Sequence, residues 1–273
     1  MTDVYAPAYV VAGGKIRVHN PKYTRPNNIF LLAFSVISIT ALFYINFDWA
    51  KILSRAGNIG DVIKRLATIT IADFDVTIKA FFETVWVASL ATVYSAFLGL
   101  LIAVFMARNI TPSKILPPLL SSAFTFIRAV PPFIWVLLIL VCLGLGPAPA
   151  IVGVCIHSTA FFARAFSQSF EEVDGGTLEA LASTGANRIK VFFSAVLPSA
   201  MTSIIAWLTM NFEQNFRAAS ILGMVGAGGI GYVISASISS YKYDKAMAAI
   251  LLLVVFTYAI EISLNALKRK LKG

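Results

Sequence analysis

Charged side chains are scarce in this sequence. Asp, Glu, Lys and Arg make up only 13% of the 273 residues, whereas hydrophobic residues make up 58%. Soluble domains typically contain about 25% charged residues and about 45–50% apolar ones. A soluble fold of this length would have to build much of its surface from apolar side chains, which marks an aggregating or membrane-bound surface. The composition therefore excludes an ordinary soluble domain and predicts a chain that lies in a lipid bilayer.

The residue clusters that carry enzymatic or metal chemistry are also missing. Cys142 and Cys155 lie in apolar segments without a Cys-x-x-Cys or other metal-ligand spacing. His157 stands alone on an apolar stretch, where a packed or hydrogen-bonded role is more common than a ligand. The sequence has no arrangement of Ser, His and Asp and no pair of carboxylates suited to catalysis. We therefore predict no catalytic residues and no metal site.

Nucleotide-binding motifs are absent or misleading. The sequence has no Gly-x-x-x-x-Gly-Lys-Ser/Thr motif, so we expect the chain to bind no ATP and no other cofactor. Residues 226–231 do satisfy Gly-x-Gly-x-x-Gly, but no strand precedes them and no βαβ unit follows. We interpret Gly226, Gly228, Gly229 and Gly231 as positions of close backbone packing, since glycine lacks a Cβ. This close packing either has a structural role alone or lies along the path by which a solute crosses the membrane.

Long hydrophobic runs dominate what is present. A helix needs about 20 apolar residues to cross the bilayer, and six stretches meet this length. They are residues 29–47, 82–107, 115–143, 150–170, 199–222 and 246–267. The third stretch is interrupted by the Pro131-Pro132 pair, and Gly and Pro residues at 144–149 predict a tight turn after it. The predicted fold is an all-α polytopic membrane protein with about six transmembrane helices.

The charges predict the orientation of these spans. The net charge is +9, but no stripe of basic and aromatic residues accompanies it, so we predict no nucleic-acid binding. Membrane proteins concentrate Lys and Arg in their cytoplasmic loops. With the amino terminus inside, twelve Lys and Arg lie on the inner side of the six spans and seven on the outer side. We therefore expect both termini to face the cytoplasm.

The spans divide the chain into segments. Residues 1–28 are polar and cytoplasmic, and 29–47 lack a signal-peptide cleavage site, so we expect this first span to be retained. Residues 48–81 form a periplasmic segment, of which 49–71 suits either an amphipathic helix on the membrane surface or an ordinary linker. Residues 82–267 form the core, and 268–273 a basic cytoplasmic tail.

The segment at residues 171–198 is too polar to cross the membrane, yet it contains helix-forming sequence. Asp174 suits the N-cap of a short helix around residues 178–182, and Gly185 suits its end. A second helix is predicted from Asn187 up to the residues before Pro198. Two short helices that meet at a glycine predict a knob that projects into the cytoplasm and requires a partner.

This knob resembles a known motif. Glu179-Ala180-Leu181, Gly185, Ala195 and Leu197-Pro198 have the layout of the EAA motif of bacterial ABC importer membrane subunits. Leu181 replaces the second Ala of that motif, and Ala195 stands where Ile is common. From about residue 82 to 267 the chain resembles the phosphonate-type ABC permeases, most specifically at 128–135, 212–219 and 222–231.

The resemblance implies a type I ABC importer permease fold in the bacterial inner membrane. It also implies a homodimer, two cytoplasmic ATPase subunits that bind ATP and Mg, and a periplasmic substrate-binding protein. In the family the EAA loop docks into a cleft of the ATPase, so Glu179, Ala180, Gly185, Leu197 and Pro198 are the expected coupling residues. The expected cargo is phosphonate or a related oxyanion. An importer of an amino acid or quaternary amine is the alternative, followed by a secondary transporter or channel and an intramembrane enzyme.

Among the charged residues within the predicted spans, three are candidates for a functional role. Glu213 and Arg217 stand four apart and share a helix face, so they can form a structural ion pair or line a cavity. An isolated charge at mid-membrane costs at least roughly 2.5–3.5 kcal/mol, so such residues face protein or water. Arg128 precedes the Pro131-Pro132 break without a partner nearby in sequence. It suits contact with a phosphonate or phosphate, or a structural role in which its side chain extends to the membrane surface or bonds the carbonyls of the broken helix.

Overall fold

The computed structural model describes residues 10–12, 15–17, 21–45, 48–68 and 74–272. The chain divides into two units, Met1–Asp61 and Val62–Gly273. The first unit contains two three-residue strands, β1 (Val10–Ala12) and β2 (Lys15–Arg17), which pair antiparallel. This short pair, in the segment predicted only as polar, is the exception among the described residues, whose other regular elements are helical.

Helix α1 (Pro21–Tyr44) follows the strands and contains the predicted first span. Its residues Pro26–Tyr44 are long and apolar enough to cross a membrane. The helix thus begins before the predicted start at residue 29 and extends to Tyr44, while residues 46 and 47 of the predicted span lie outside the described residues. The apolar run that the bilayer would cover is therefore helical over almost its whole length.

Two short amphipathic helices, α2 (Trp49–Ala56) and α3 (Ile59–Ala67), come next, and α3 crosses the boundary between the units. The Asp48 carboxylate caps α2 by accepting a hydrogen bond of 3.0 Å from the Lys51 N–H. The predicted amphipathic segment 49–71 is thus largely helical, and its residues 69–71 lie outside the described residues. Both alternatives for its role remain predictions.

The second unit is built from helices joined by short turns. They are α4 (Phe74–Met106), α5 (Leu116–Ala129), α6 (Pro132–Leu143), α7 (Pro147–Glu171), α8 (Gly175–Ser183), α9 (Arg188–Val191), α10 (Leu197–Leu222), α11 (Gly229–Ser239) and α12 (Tyr243–Lys272). A π-helical turn at Phe192–Val196 joins α9 to α10, and a 3₁₀ turn at Gly223–Val225 follows α10. The predicted all-α class is confirmed.

Among the described residues, five helices are long and apolar enough to span a membrane, and α5 with α6 provides a sixth if the bent pair is one span. The count agrees with the six predicted spans, but α4 begins at Phe74 rather than at residue 82. Asp75 lies in the first turn of α4, where the positive end of the helix dipole favours an acid. The predicted span started too late because it left out charged residues such as Asp75, which belong to the first turns of α4.

The two prolines bend the third span. Helices α5 and α6 meet at 82°. Val130 and Pro131 each precede a proline and are extended, with φ −84°, ψ 123° and φ −56°, ψ 142°. A proline ring disfavours the helical conformation in the residue before it, so the Pro131-Pro132 pair breaks the helix at this point.

Pro198 does not separate two helices. The sequence predicted a short helix that ends before Pro198 and a separate span that begins at residue 199. Residues Arg188–Val225 form a continuous helical run through Pro198. Because Pro198 cannot donate a backbone hydrogen bond and its ring crowds the carbonyl four residues earlier, the helix widens just before it. In this π-helical turn the Leu197 N–H donates to the Phe192 carbonyl five residues back. Residues of the predicted knob and of α10 thus share one helix.

Small residues allow the central helices to pack closely, as is common in membranes. A Cβ on Gly99 of α4 would overlap Phe162 of α7, and one on Gly153 of α7 would lie 2.6 Å from the Cα of Val136. Buried aromatic side chains, among them Phe162, fill the space between α4, α7 and the start of α10. Helix α7 therefore forms the centre of the second unit.

A buried polar cluster links the same helices. The Asn215 side chain on α10 donates to Thr92 Oγ1 on α4 at 2.9 Å and to Asn211 Oδ1 at 2.9 Å. Its own Oδ1 accepts from Ser158 Oγ on α7 at 2.7 Å. All four side chains are buried. Because hydrocarbon offers no competing partner, these bonds join α4, α7 and α10 in a fixed register.

Candidate functional site

The knob predicted at residues 171–198 is a pair of short helices. Asp174 caps α8 because its carboxylate accepts a hydrogen bond of 3.0 Å from the Thr177 N–H. Asn187 caps α9 in the same way, accepting from the Lys190 N–H at 2.9 Å. Between the two helices Gly185 has φ +79°. This left-handed conformation suits glycine and reverses the chain between the two caps.

The knob exposes the residues expected to couple to an ATPase. Glu179 and Ala180 on α8 are exposed, and so is Gly185. Leu178, also on α8, is partly buried and packs against the aromatic cluster at the base of the core. Helix α8 is thus anchored through Leu178 while Glu179 and Ala180 stay exposed.

Leu197 and Pro198 do not lie at the tip of the knob. Leu197 packs partly buried against the aromatic cluster, and Ala195 in the π-helical turn is buried. Pro198 is exposed in the first turn of α10. The motif therefore separates into an exposed part around Glu179 and a supporting part at the π-helical turn. The docking role of these residues stays a prediction.

Two hydrogen bonds join the loop after α4 to the end of α7, and a third joins the same loop to α9 of the knob. The Arg108 N–H donates to Glu171 Oε1 at 2.8 Å, and Asn109 Nδ2 donates to the Phe170 carbonyl at 2.7 Å. Arg188, the first residue of α9, donates to the Ile110 carbonyl at 3.4 Å. The loop after α4 thus contacts both the end of α7 and the start of α9.

Two arginines lie on facing helices of the core. The Arg128 guanidinium of α5 lies 5.7 Å from the ring centroid of Phe161 on α7, a cation–π distance. One turn further on, Arg164 Nη1 of α7 donates to Thr125 Oγ1 of α5 at 2.7 Å. Within the described part of the chain, neither arginine forms an ion pair.

Arg164 and Thr125 were not identified from the sequence. Arg164 lies seven residues after His157 on α7, so the two stand on one helix face. A search for every charged residue inside the predicted spans would have found Arg164, which is the only charge between residues 150 and 170 of the sequence. Its hydrogen bond to Thr125 depends on how α5 crosses α7, which the sequence alone does not specify.

Glu213 and Arg217 differ from this pair of arginines. Arg217 Nη2 and Glu213 Oε1 are 2.6 Å apart on α10, with exposed fractions of 56% and 21% for the two side chains. The pair largely neutralises itself. This geometry favours the structural ion pair. Because the Arg217 side chain is exposed, a role of the pair in a cavity wall stays a prediction.

The glycine motif forms a turn against α4. The backbone N–H groups of Gly229 and Ile230 donate to Glu83 Oε2 and Thr84 Oγ1, at 3.0 and 2.9 Å. Three glycines of the motif have positive φ, namely Gly226, Gly228 and Gly229. A Cβ on Gly231 would overlap the Ser220 carbonyl. The turn lets α11, a helix that was not predicted, begin in contact with α4 and α10.

Comparison with known proteins identifies the family. The model of the binding-protein-dependent transport system inner membrane component family matches residues 99–273. The chain belongs to this family. It is an ABC importer permease, as predicted.

Similar proteins with curated names include two phosphorus oxyanion permeases. The permease is 35% identical over 179 residues to the phosphate-import permease protein PhnE of Mycolicibacterium smegmatis, covering 66% of this chain and 34% of that protein. It therefore spans about a third of that relative's length. It is 25% identical over 234 residues to the putative phosphite transport system permease protein HtxC of Stutzerimonas stutzeri, covering 85% and 83% of the two chains.

A solved structure shows the same fold. The inward-facing MetNI methionine ABC transporter aligns with a TM-score of 0.67 over 74% of this chain and 99% of that chain, at 20% identity. The predicted type I ABC importer permease fold is confirmed.

Proposed function

We propose that this permease forms the path by which phosphonate, or a related phosphorus oxyanion, crosses the bacterial inner membrane. The observation that carries the proposal is the pair of arginines, Arg128 and Arg164, on facing membrane helices and without ion-pair partners among the described residues. Guanidinium groups present planar donors that match phosphate oxygens. The two relatives named for phosphate and phosphite import support the same cargo class.

The energy for transport comes from separate subunits. Two ATPase chains bind ATP and Mg and receive the exposed face of α8 at Glu179 and Ala180. A second copy of the permease completes the path, and a periplasmic binding protein delivers the solute. A hydrogen bond supports a mechanical link between the knob and the membrane helices, because Arg188 of α9 donates to the Ile110 carbonyl in the loop after α4. Both termini and the knob face the cytoplasm in this arrangement.

Uptake into proteoliposomes tests this function. The permease is reconstituted with its cognate ATPase and binding protein, and ATP-dependent uptake of labelled methylphosphonate, phosphite and phosphate is compared with that of methionine and glycine betaine. We expect saturable uptake of at least one phosphorus oxyanion and none of the other two solutes. Uptake of methionine or betaine alone would establish the alternative cargo class.

A further inference from the structure

An apolar groove of about 450 Å³ lies between the last turns of α4 and the helical run from α9 to α10. Leu101 and Phe105 line it on α4, and Phe193 lines it on the π-helical turn, and all three side chains are exposed. On α4 these positions continue an exposed apolar stripe from Phe97 at a spacing of four residues. The stripe belongs to a membrane-spanning helix, so the groove opens toward lipid.

A basic pocket of about 390 Å³ adjoins this groove. Arg108, Lys114 and Arg188 line it, and its lining contains no carboxylate. The pocket and the groove share Thr111, Pro112 and Arg188, so they are continuous.

The position of Arg188 is fixed by its contact with the loop that follows α4. Its Nη1 donates to the Ile110 carbonyl at 3.4 Å. The Glu171 carboxylate accepts from the backbone N–H of Arg108, and Glu179 lines a neighbouring pocket that shares Ile110, Arg188 and Phe192 with the groove. Neither carboxylate lines the groove or the basic pocket. The positive charge of the pocket is therefore available to a ligand.

We propose that the groove and the basic pocket together bind one anionic phospholipid. Its phosphate lies among Arg108, Lys114 and Arg188, and one of its acyl chains lies along Leu101 and Phe105. Basic pockets at the cytoplasmic ends of membrane helices favour anionic headgroups. A free phosphate would leave the apolar groove uncovered, and a neutral phospholipid would leave the three cations uncompensated.

This site has a consequence for the knob. Arg188 begins α9 and also contacts the loop after α4, so a headgroup in the basic pocket bridges the two segments. Bound lipid would therefore stabilise the knob against the membrane core. The inference depends on membrane insertion of α4 and not on which solute is transported.

Lipid binding to the purified, delipidated permease tests the proposal, measured by native mass spectrometry and by thermal unfolding in detergent. We expect phosphatidylglycerol to bind at least tenfold more tightly than phosphatidylcholine with the same acyl chains. The triple variant R108Q/K114Q/R188Q should lose this preference, since each charge near the headgroup contributes about a fivefold difference. The single variant R188Q, with an expected loss of about fivefold, gives a second measurement if the triple variant does not fold.

A matched control removes the same charge elsewhere. The variant K79Q/K190Q/K242Q replaces three exposed lysines that line neither the groove nor the basic pocket. It should keep the preference for phosphatidylglycerol. If both triple variants weaken binding equally, the effect is one of net charge and the site is disproved.

Other outcomes would also overturn the proposal. Equal affinity for the two lipids would remove the headgroup selectivity. Inorganic phosphate that raises the unfolding temperature as much as phosphatidylglycerol would identify a bare anion site. Loss of the bound lipid when the ATPase assembles would assign the groove to that partner. Lipid binding without oxyanion uptake would contradict only the proposed transport function.

Discussion

The Glu83 carboxylate of α4 accepts a hydrogen bond of 3.0 Å from the backbone N–H of Gly229, which begins α11. The neighbouring Thr84 hydroxyl accepts from the next N–H, that of Ile230, at 2.9 Å. Free N–H groups at a helix start require acceptors, and an acid is favoured there by the helix dipole. Two adjacent residues of α4 thus cap a helix about 146 positions later in the chain.

This cap predicts the effect of replacing Glu83. Glu83→Ala removes the acceptor and should lower the stability of the detergent-solubilised permease by about 1–3 kcal/mol. The thermal unfolding midpoint measures the loss. Glu83→Gln keeps a side-chain acceptor of the same length and should lose clearly less. Equal unfolding midpoints for the wild type and Glu83→Ala would mean that the bond does not hold α11 in place.

The sequence predicted the fold class, the number of spans and the two helices of the knob, because these depend on local patterns. Hydrophobic length identifies spans, and Asp174 and Asn187 are strong caps. The sequence did not predict α11, since an apolar helix of 11 residues is too short to be recognised as a span. The cap from Glu83, the bond between Arg164 and Thr125, and the Asn215 cluster join residues far apart in sequence. Their partners depend on how helices cross.

The orientation of the permease gives a second prediction. In a background with Cys142→Ser and Cys155→Ala, a cysteine at Ala182 should react with a membrane-impermeant maleimide only after the inner face is opened. The position is exposed on α8, so in the permease expressed without its ATPase access depends on topology. A cysteine at Lys242 serves as the control and should react from the periplasmic side. The reverse pattern would contradict the predicted orientation.

A third prediction concerns the arginine pair. Arg128→Gln and Arg164→Gln should each reduce oxyanion uptake by about tenfold or more, because each removes a charge-assisted contact of roughly 1.5–3 kcal/mol to the passing anion. Initial uptake rates in proteoliposomes measure the effect. Membrane insertion and ATPase assembly should stay unchanged, since neither arginine forms an ion pair among the described residues.

The neighbouring ion pair supplies a matched control. The double variant Glu213→Gln/Arg217→Gln also removes a membrane arginine, but it removes the partner carboxylate with it. Uptake by this variant should stay within a few-fold of the wild type if the pair is structural. The opposite result would be wild-type uptake by Arg128→Gln and by Arg164→Gln with strong loss of uptake in the double variant. It would mean that the anion contacts Glu213 and Arg217 on α10 rather than the two arginines.

The last prediction concerns coupling through the knob. Gly185 has φ +79°, and beyond its two chain neighbours no residue has an atom within 4 Å of the position that a Cβ would take. Substitution there acts through backbone strain rather than through a steric clash. Gly185→Val should strain the turn by about 1–2 kcal/mol and reduce ATP-driven uptake. Gly185→Asn is the control, because asparagine tolerates the left-handed conformation, and it should retain most of the uptake.

Glu179→Lys tests the docking face of the same knob. Glu179 is exposed on α8, so reversal of its charge should leave the fold intact while it weakens a complementary contact with the ATPase. Both variants should insert into the membrane at wild-type levels, because the spans are held by the bilayer and by the packing of α4, α7 and α10 against one another. Co-purification of the ATPase and substrate-stimulated hydrolysis should fall. Full transport with the ATPase assembled in both variants would exclude the knob as the coupling element.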